Sequence, residues 1–189
     1  MTSAAPHYHQ TFNDYLEIEE MSEAKHEYVD GQVVAMSGGS IDHAALCGEI
    51  GARLRELCAG KPCRAYPSDL RIRVLATGLA TYADASVVCG RPETDPESPT
   101  HCTNPSVIFE VLSPSSERYD RGKKRKHYQQ IESLHDYVIV SQDSRAAEQW
   151  TRDDRGGWTH RVIGPEGEIV LETLGGLIVL ADLYSSVGL

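Results

Sequence analysis

The sequence predicts an α/β fold with a mixed central sheet flanked by helices. Three observations carry that prediction: a two-residue turn between alternating segments at Asp30-Gly31, two stretches of helical period, and several short apolar runs bounded by turn residues. With 189 residues, 40% hydrophobic and 24% charged, the chain is long enough for one domain with a real core. Residues 1–189 are therefore read as a single domain.

The elements follow in order. Thr11 is placed to cap a helix over 12–21, with Asp14 and Glu17 near its positive end. Segments 26–29 and 32–36 alternate on either side of Asp30-Gly31 and predict a hairpin. Gly38-Gly39 ends it, and Ser40 caps a second helix over about 41–59, where Leu46, Ile50, Leu54 and Leu57 form one stripe before Gly60. Three strand candidates come next: 63–66 running on to 69–74, then 82–89, then 106–113. Between the last two, residues 91–104 are rich in Pro, Glu, Asp and Thr and read as an exposed loop. A basic helix spans about 120–131 with Asp120 as its cap, followed by a strand over 137–141. Segments 147–151 and 159–163 make a hairpin around 153–157, and 169–171 and 178–180 complete the tail.

Composition narrows the function classes. The net charge of −10 opposes tight phosphate binding, which Lys and Arg normally drive. The distribution of charge works the other way: Arg118, Arg121, Lys123, Lys124, Arg125 and Lys126 cluster, with a weaker group at Arg64, Arg71 and Arg73. Residues 1–10 lack the basic-then-apolar pattern of a signal peptide, and apolar runs such as 107–112 and 177–183 are too short or interrupted for a bilayer. Five cysteines (47, 58, 63, 89 and 102), with no CxxC pair, argue against a disulfide framework or a structural zinc site, and for a reducing cytoplasm.

Two acids interrupt apolar strands: Asp84 in Tyr-Ala-Asp-Ala-Ser-Val-Val-Cys and Glu110 in Val-Ile-Phe-Glu-Val-Leu-Ser. A buried carboxylate needs a cation or a hydrogen-bonded partner. Two of them on neighbouring strands would make a hard oxygen site for Mg2+ or Mn2+, whose retained water can attack a phosphorus. An ammonium nearby would offset charge on the phosphoryl oxygens. Plainer readings stand beside this one. A strand-end acid is more often solvent-facing or salt-bridged, and the basic run taken alone reads as a solvated helix face. No nucleophile elbow, Walker loop or dinucleotide fingerprint is present, and His101-Cys102 looks incidental within the acidic loop.

Taken together, the motifs resemble the putative restriction endonuclease family of the PD-(D/E)xK nuclease superfamily. The resemblance runs from about Thr11 to Trp158. Its carriers are Lys25-His26-Glu27-Tyr28-Val29-Asp30-Gly31, His43 opening a helix, Ser68-Asp69-Leu70-Arg71-Ile72-Arg73 and Tyr82-Ala83-Asp84. They continue with Glu110-Val111-Leu112-Ser113-Pro114-Ser115-Ser116, then Asp120-Arg121-Gly122-Lys123-Lys124 with Tyr128. The resemblance implies a restriction endonuclease-like core with extra β-hairpins, over about residues 11–158, and Mg2+- or Mn2+-dependent hydrolysis of DNA by a homodimer. It implies Asp84 and Glu110 as metal ligands with the Val111 carbonyl, and Lys124 as the catalytic cation. Ala83 replaces the family's usual proline, and Leu112 stands where the superfamily carries its lysine, so the cation would come from the following helix. Lys123 and Lys126 compete with Lys124 for that role. Glu27 matches a family glutamate that could orient the attacking water, or it is a hairpin residue paired with Lys25 or an arginine. His43 could bind phosphate or an active-site acid, or serve local capping. Asp69 reads as a strand-start acid paired with Arg71 or Arg73. Two rivals remain at this level: an inactive nucleic-acid- or protein-binding module on the same scaffold, and a nuclease acting on RNA or small nucleotides.

Overall fold

The computed structural model describes residues 9–185 and residue 187, so the reading of the N-terminus falls largely outside the described residues. Strands β1 (His26–Val29), β2 (Gln32–Ala35), β4 (Arg71–Val74), β5 (Leu79–Tyr82), β7 (Thr94–Asp95) and β8 (Ser98–Cys102) form one sheet, ordered β2-β1-β5-β4-β8-β7. A second sheet, ordered β12-β11-β10-β9-β6-β3, holds β3 (Cys63–Pro67), β6 (Ala85–Cys89), β9 (Val107–Leu112), β10 (Asp136–Ser141), β11 (Ala147–Arg152) and β12 (Trp158–Ile163). Both sheets are mixed: β4 runs parallel to β8, and β9 runs parallel to β10, while the other pairings within them are antiparallel. A short ribbon of β13 (Glu168–Leu171) and β14 (Gly176–Val179) completes the strands. The α/β class holds, with the strands divided between two sheets.

Local chemistry explains the first elements. Helix α1 (Phe12–Met21) opens with a reciprocal cap in which the Thr11 hydroxyl accepts from the Asp14 N–H while the Asp14 carboxylate accepts from the Thr11 N–H. Helix α2 (Ile41–Cys58) is capped by Ser40 and buries Leu46, Ile50 and Leu54. That stripe packs on Val107, Phe109 and Val111 of β9. Every residue of β9 is buried, as expected of a strand covered on both faces. Alternation then sends Ile108, Glu110 and Leu112 to the opposite face, where Ile108 and Leu112 meet Tyr128, Ile131 and Tyr137.

Several expectations are corrected. The run 82–89 is two strands in different sheets: Tyr82 ends β5, Ala85 begins β6, and Ala83-Asp84 carries the chain across. Both pieces are apolar because both are buried, so hydropathy could not show the break. The basic helix begins earlier, at α3 (Glu117–Tyr119), widens into a π-turn over Asp120–Lys124 and continues as α4 (Arg125–Tyr128). Asp120 thus lies inside it and does not cap it. The tail gains a helix, α5 (Leu180–Tyr184), where the sequence predicts a strand end. Asp69 pairs with Lys25 at 2.7 Å and not with Arg71 or Arg73. Cys63 and Cys89 are joined by a disulfide, because the β3–β6 register sets them opposite each other with Cα atoms 3.9 Å apart. An odd cysteine count does not reveal such a cross-strand meeting.

The segment read as an exposed loop contains the hairpin β7–β8, whose Ser98, His101 and Cys102 are buried. His101 is fully enclosed, with Ser98 Oγ 2.8 Å from Nδ1 and the Tyr15 hydroxyl 3.3 Å from Nε2. Burial, reinforced by Arg71 and Arg73, pushes the imidazole down from 6.5 to about 4. It is therefore neutral when folded but protonated when unfolded at mildly acidic pH. Its contribution to stability is complete above 6.5 and drains away as pH falls towards 4, amounting to about 3 kcal/mol at roughly 1.4 kcal/mol per unit. Denaturant titrations between pH 7 and 4 should show a shallower acid loss in His101→Gln than in wild type. Parallel curves for the two proteins would contradict this.

Candidate active site

Asp84, in the link between the two sheets, is held from two sides. The Val111 N–H donates to its Oδ2 at 2.7 Å, and His43 Nε2, from the first turn of α2, lies 3.4 Å from the same oxygen. Glu110, mid-strand on β9, is 3% exposed. Its Oε1 accepts from Lys124 Nζ at 3.0 Å and from the Tyr128 hydroxyl at 3.0 Å. Lys124 is itself buried and also meets Glu27 Oε1 at 3.1 Å, the Tyr82 carbonyl at 3.2 Å and Asp120 at 4.0 Å. Glu27, on β1, accepts in addition from the Thr81 hydroxyl. Contacts on Asp84 converge on Oδ2 and those on Glu110 on Oε1, leaving the second oxygen of each outside these bonds.

The π-turn explains how one helix delivers three side chains to this point. Four residues overshoot an α-turn of about 3.6 residues, whereas the wider π-turn, closed by i→i+5 bonds, makes the same step lag. The two drifts oppose each other, so Asp120, Lys124 and Tyr128 all face inward and are all buried. Lys123 and Lys126 point to solvent, and Lys123 pairs loosely with Asp30 at 3.8 Å. Position on the helix thus separates Lys124 from its two competitors.

The five residues singled out from sequence, Glu27, His43, Asp84, Glu110 and Lys124, line one cleft of about 430 Å3 together with Val111. Asp120 and Tyr119 line it too, and sequence reasoning missed them as site residues. The four-residue step from Asp120 to Lys124 was the available signal, hidden by reading Asp120 as a cap. Glu27 faces Lys124 and not Lys25, which turns instead to Ser68 and Asp69.

Charges in the cleft are strongly coupled. Burial pushes the Glu110 carboxyl well above its ordinary range; Lys124 opposes that shift, and the neighbouring Asp84 and Asp120 add to it. Burial works against the charge on Lys124, yet Glu110, Tyr128, Glu27 and Asp120 outweigh it and hold the ammonium protonated. Asp120 is raised chiefly by burial. Burial also opposes ionisation of Asp84, but the hydrogen bonds from His43 and the Val111 N–H prevail and hold it below the usual carboxylate range. Reciprocally, the hydrogen bond to Asp84 raises His43. The arrangement is an anionic, partly dry cleft with one fixed ammonium, able to bind a hard cation and to meet a phosphoryl group.

A family model described as Putative restriction endonuclease (Uma2) matches residues 12–181. The chain belongs to this Uma2 family. Among curated relatives it is 38% identical over 145 residues to the uncharacterized protein slr1290 of Synechocystis, covering 77% of this chain and 75% of that one. It is 28% identical over 160 residues to a second Synechocystis protein, sll1609, also uncharacterized, covering 84% and 90%. Its fold is similar to the crystal structure of a putative nuclease belonging to DUF820 from Anabaena variabilis, with a TM-score of 0.76 and 17% identity over 93% of this chain and 97% of that one. Uma2 membership supports nuclease activity in general terms. Among the described residues, no helix is long and apolar enough to cross a membrane.

Proposed function

We propose that the chain is a metal-dependent endonuclease that hydrolyses phosphodiester bonds in DNA. One observation carries the reading: four carboxylates, Glu27, Asp84, Glu110 and Asp120, line one cleft whose buried cation is the single ammonium of Lys124. That surplus of negative charge, presented on oxygen, fits a hard divalent cation. Asp84 and Glu110, with the Val111 carbonyl, are the residues that would hold Mg2+ or Mn2+. When bound, such an ion supplies Lewis-acid polarisation of a phosphoryl oxygen and a water of lowered pKa. Lys124 places a fixed positive charge against the phosphoryl oxygens as negative charge builds on them. Glu27 orients the attacking water and takes its proton. The water oxygen bonds to phosphorus, the bond to the leaving oxygen breaks, and that oxygen takes a proton from bulk water, to which Glu27 releases the one it took. His43 braces Asp84 through Nε2. The reading takes the working form as a homodimer, by analogy with nucleases of this superfamily, and keeps the cytoplasm as its place, although the Cys63–Cys89 disulfide removes the cysteine argument for it.

Plasmid nicking tests it. Wild type should nick supercoiled DNA with Mg2+ or Mn2+, stop on chelation, and lose at least about a hundredfold in rate in Asp84→Asn, which keeps the shape but not the charge. Equal rates in the two proteins would remove the assignment. The net charge of −10 favours a second reading, a non-catalytic binding module. A decayed site would take up no Mn2+ at millimolar concentration in a calorimetric titration.

A further inference from the structure

Asp84 and His43 also belong to a second constellation, completed by Cys47, to which the proposed hydrolysis gives no role. One ring nitrogen of His43, Cys47 Sγ and a carboxylate oxygen of Asp84 all lie within 4.8 Å of one another. Cys47 sits one turn after His43 on α2, so both side chains project from the same helix face, with Sγ 3.4 Å from His43 Nδ1. Asp84 approaches from the inter-sheet link, its Oδ2 3.4 Å from His43 Nε2. Among the described residues, no other group of three His, Cys, Asp or Glu ligand atoms converges this closely. A tetrahedral zinc with bonds of about 2.0–2.3 Å needs ligand atoms roughly 3.3–3.8 Å apart, so with one ring nitrogen as the ligand the separations, all within 4.8 Å, must close by about 1 Å at most.

The donor chemistry differs from that of the rest of the cleft. Glu110, Glu27 and the Val111 carbonyl offer only hard oxygen, whereas one thiolate and one imidazole select a softer ion. We propose that His43, Cys47 and Asp84 form a zinc site that overlaps the hard-cation cleft through Asp84, so that zinc occupancy withdraws Asp84 from the cleft. Three protein ligands leave a fourth position for water. As the zinc–sulfur bond forms, the thiol proton leaves to bulk water. The zinc site stands on its own geometry; only its inhibitory consequence rests on the nuclease reading.

Cobalt substitution tests the proposal with a readout independent of catalysis. One equivalent of Co2+ added to the metal-free full chain should produce a thiolate-to-cobalt charge-transfer band in the near ultraviolet and intense visible bands of a tetrahedral ion, and Zn2+ should bleach both. Cys47→Ser should abolish the charge-transfer band, with circular dichroism confirming that the variant is folded. His43→Gln, which keeps the thiol, should weaken cobalt affinity by at least tenfold and guards against a misfolded serine variant. Calorimetry should find Mn2+ binding at least tenfold weaker in zinc-loaded than in zinc-free protein. Absence of the band in wild type, or its persistence in Cys47→Ser through Cys58 or Cys102, would overturn the site. Unchanged Mn2+ affinity in zinc-loaded protein would overturn the overlap. A protein that shows the cobalt band but never cleaves DNA counts against the nuclease reading alone.

Discussion

Replacing Lys124 with methionine is expected to destabilise the protein by about 3–5 kcal/mol at pH 8, the usual cost of stripping a buried charge cluster of its counter-ion. The ammonium meets Glu27 at 3.1 Å and Glu110 at 3.0 Å, with Asp120 at 4.0 Å, and all four groups are buried. Methionine fills much of the volume but leaves three carboxylates facing one another. Burial already raises the proton affinity of Glu110 and Asp120, and losing Lys124 removes an effect that opposes it. In the variant the folded state therefore binds more protons than the unfolded state as pH falls. The stability deficit should shrink from pH 8 towards pH 5, opposite to the acid loss expected from His101. Millimolar Mg2+ or Mn2+ should restore part of it by supplying positive charge to the same oxygens. Lys124→Arg should not, because a planar guanidinium cannot occupy a pocket shaped around a compact ammonium. Denaturant melts at the two pH values decide the matter: a variant within about 1 kcal/mol of wild type at pH 8 would mean that Lys124 does not hold the cluster together.

Legibility in the sequence follows how local the cause is. Thr11 with Asp14, the Asp30-Gly31 turn and the Leu46–Ile50–Leu54 stripe act within a few residues, and α1, β1 and α2 appear where those signals place them. Asp84 and Glu110 stand out because a carboxylate inside an apolar run is costly wherever the strand ends up. Features set by distant partners stay hidden. Whether 82–89 is one strand or two depends on which sheet each end joins, and both ends are equally apolar. The meeting of Cys63 with Cys89 depends on strand register. The π-turn has no composition of its own, yet it turns Asp120 and Lys124 inward while Lys123 and Lys126 stay exposed. His101 reads as incidental because its segment is polar, although a polar hairpin can bury one face against Tyr15 and Phe12.

Glu110→Gln should separate chemistry from folding in the opposite sense to Lys124→Met. The amide oxygen can still accept from the Tyr128 hydroxyl and from Lys124, which now bond to Oε1 at 3.0 Å each. Lys124 keeps Glu27 and Asp120 as counter-charges, so no buried ammonium is stranded. The raised proton affinity of Glu110 means that a neutral side chain is tolerated there at little cost. Stability should therefore change by no more than about 1 kcal/mol. Metal binding and cleavage should respond far more, because the amide presents neutral donors where a hard cation requires an anionic oxygen. Losing several kcal/mol of transition-state stabilisation, at about 1.4 kcal/mol per decade, lowers the cleavage rate by roughly 10²–10³-fold. Mn2+ affinity measured by calorimetry should fall in parallel, and adding more metal should recover only part of the rate. The decisive comparison is a folded Glu110→Gln protein assayed on plasmid DNA beside wild type. Cleavage within tenfold of wild type would show that this carboxylate holds no catalytic metal, and Glu110 would then be only the internal counter-ion of Lys124.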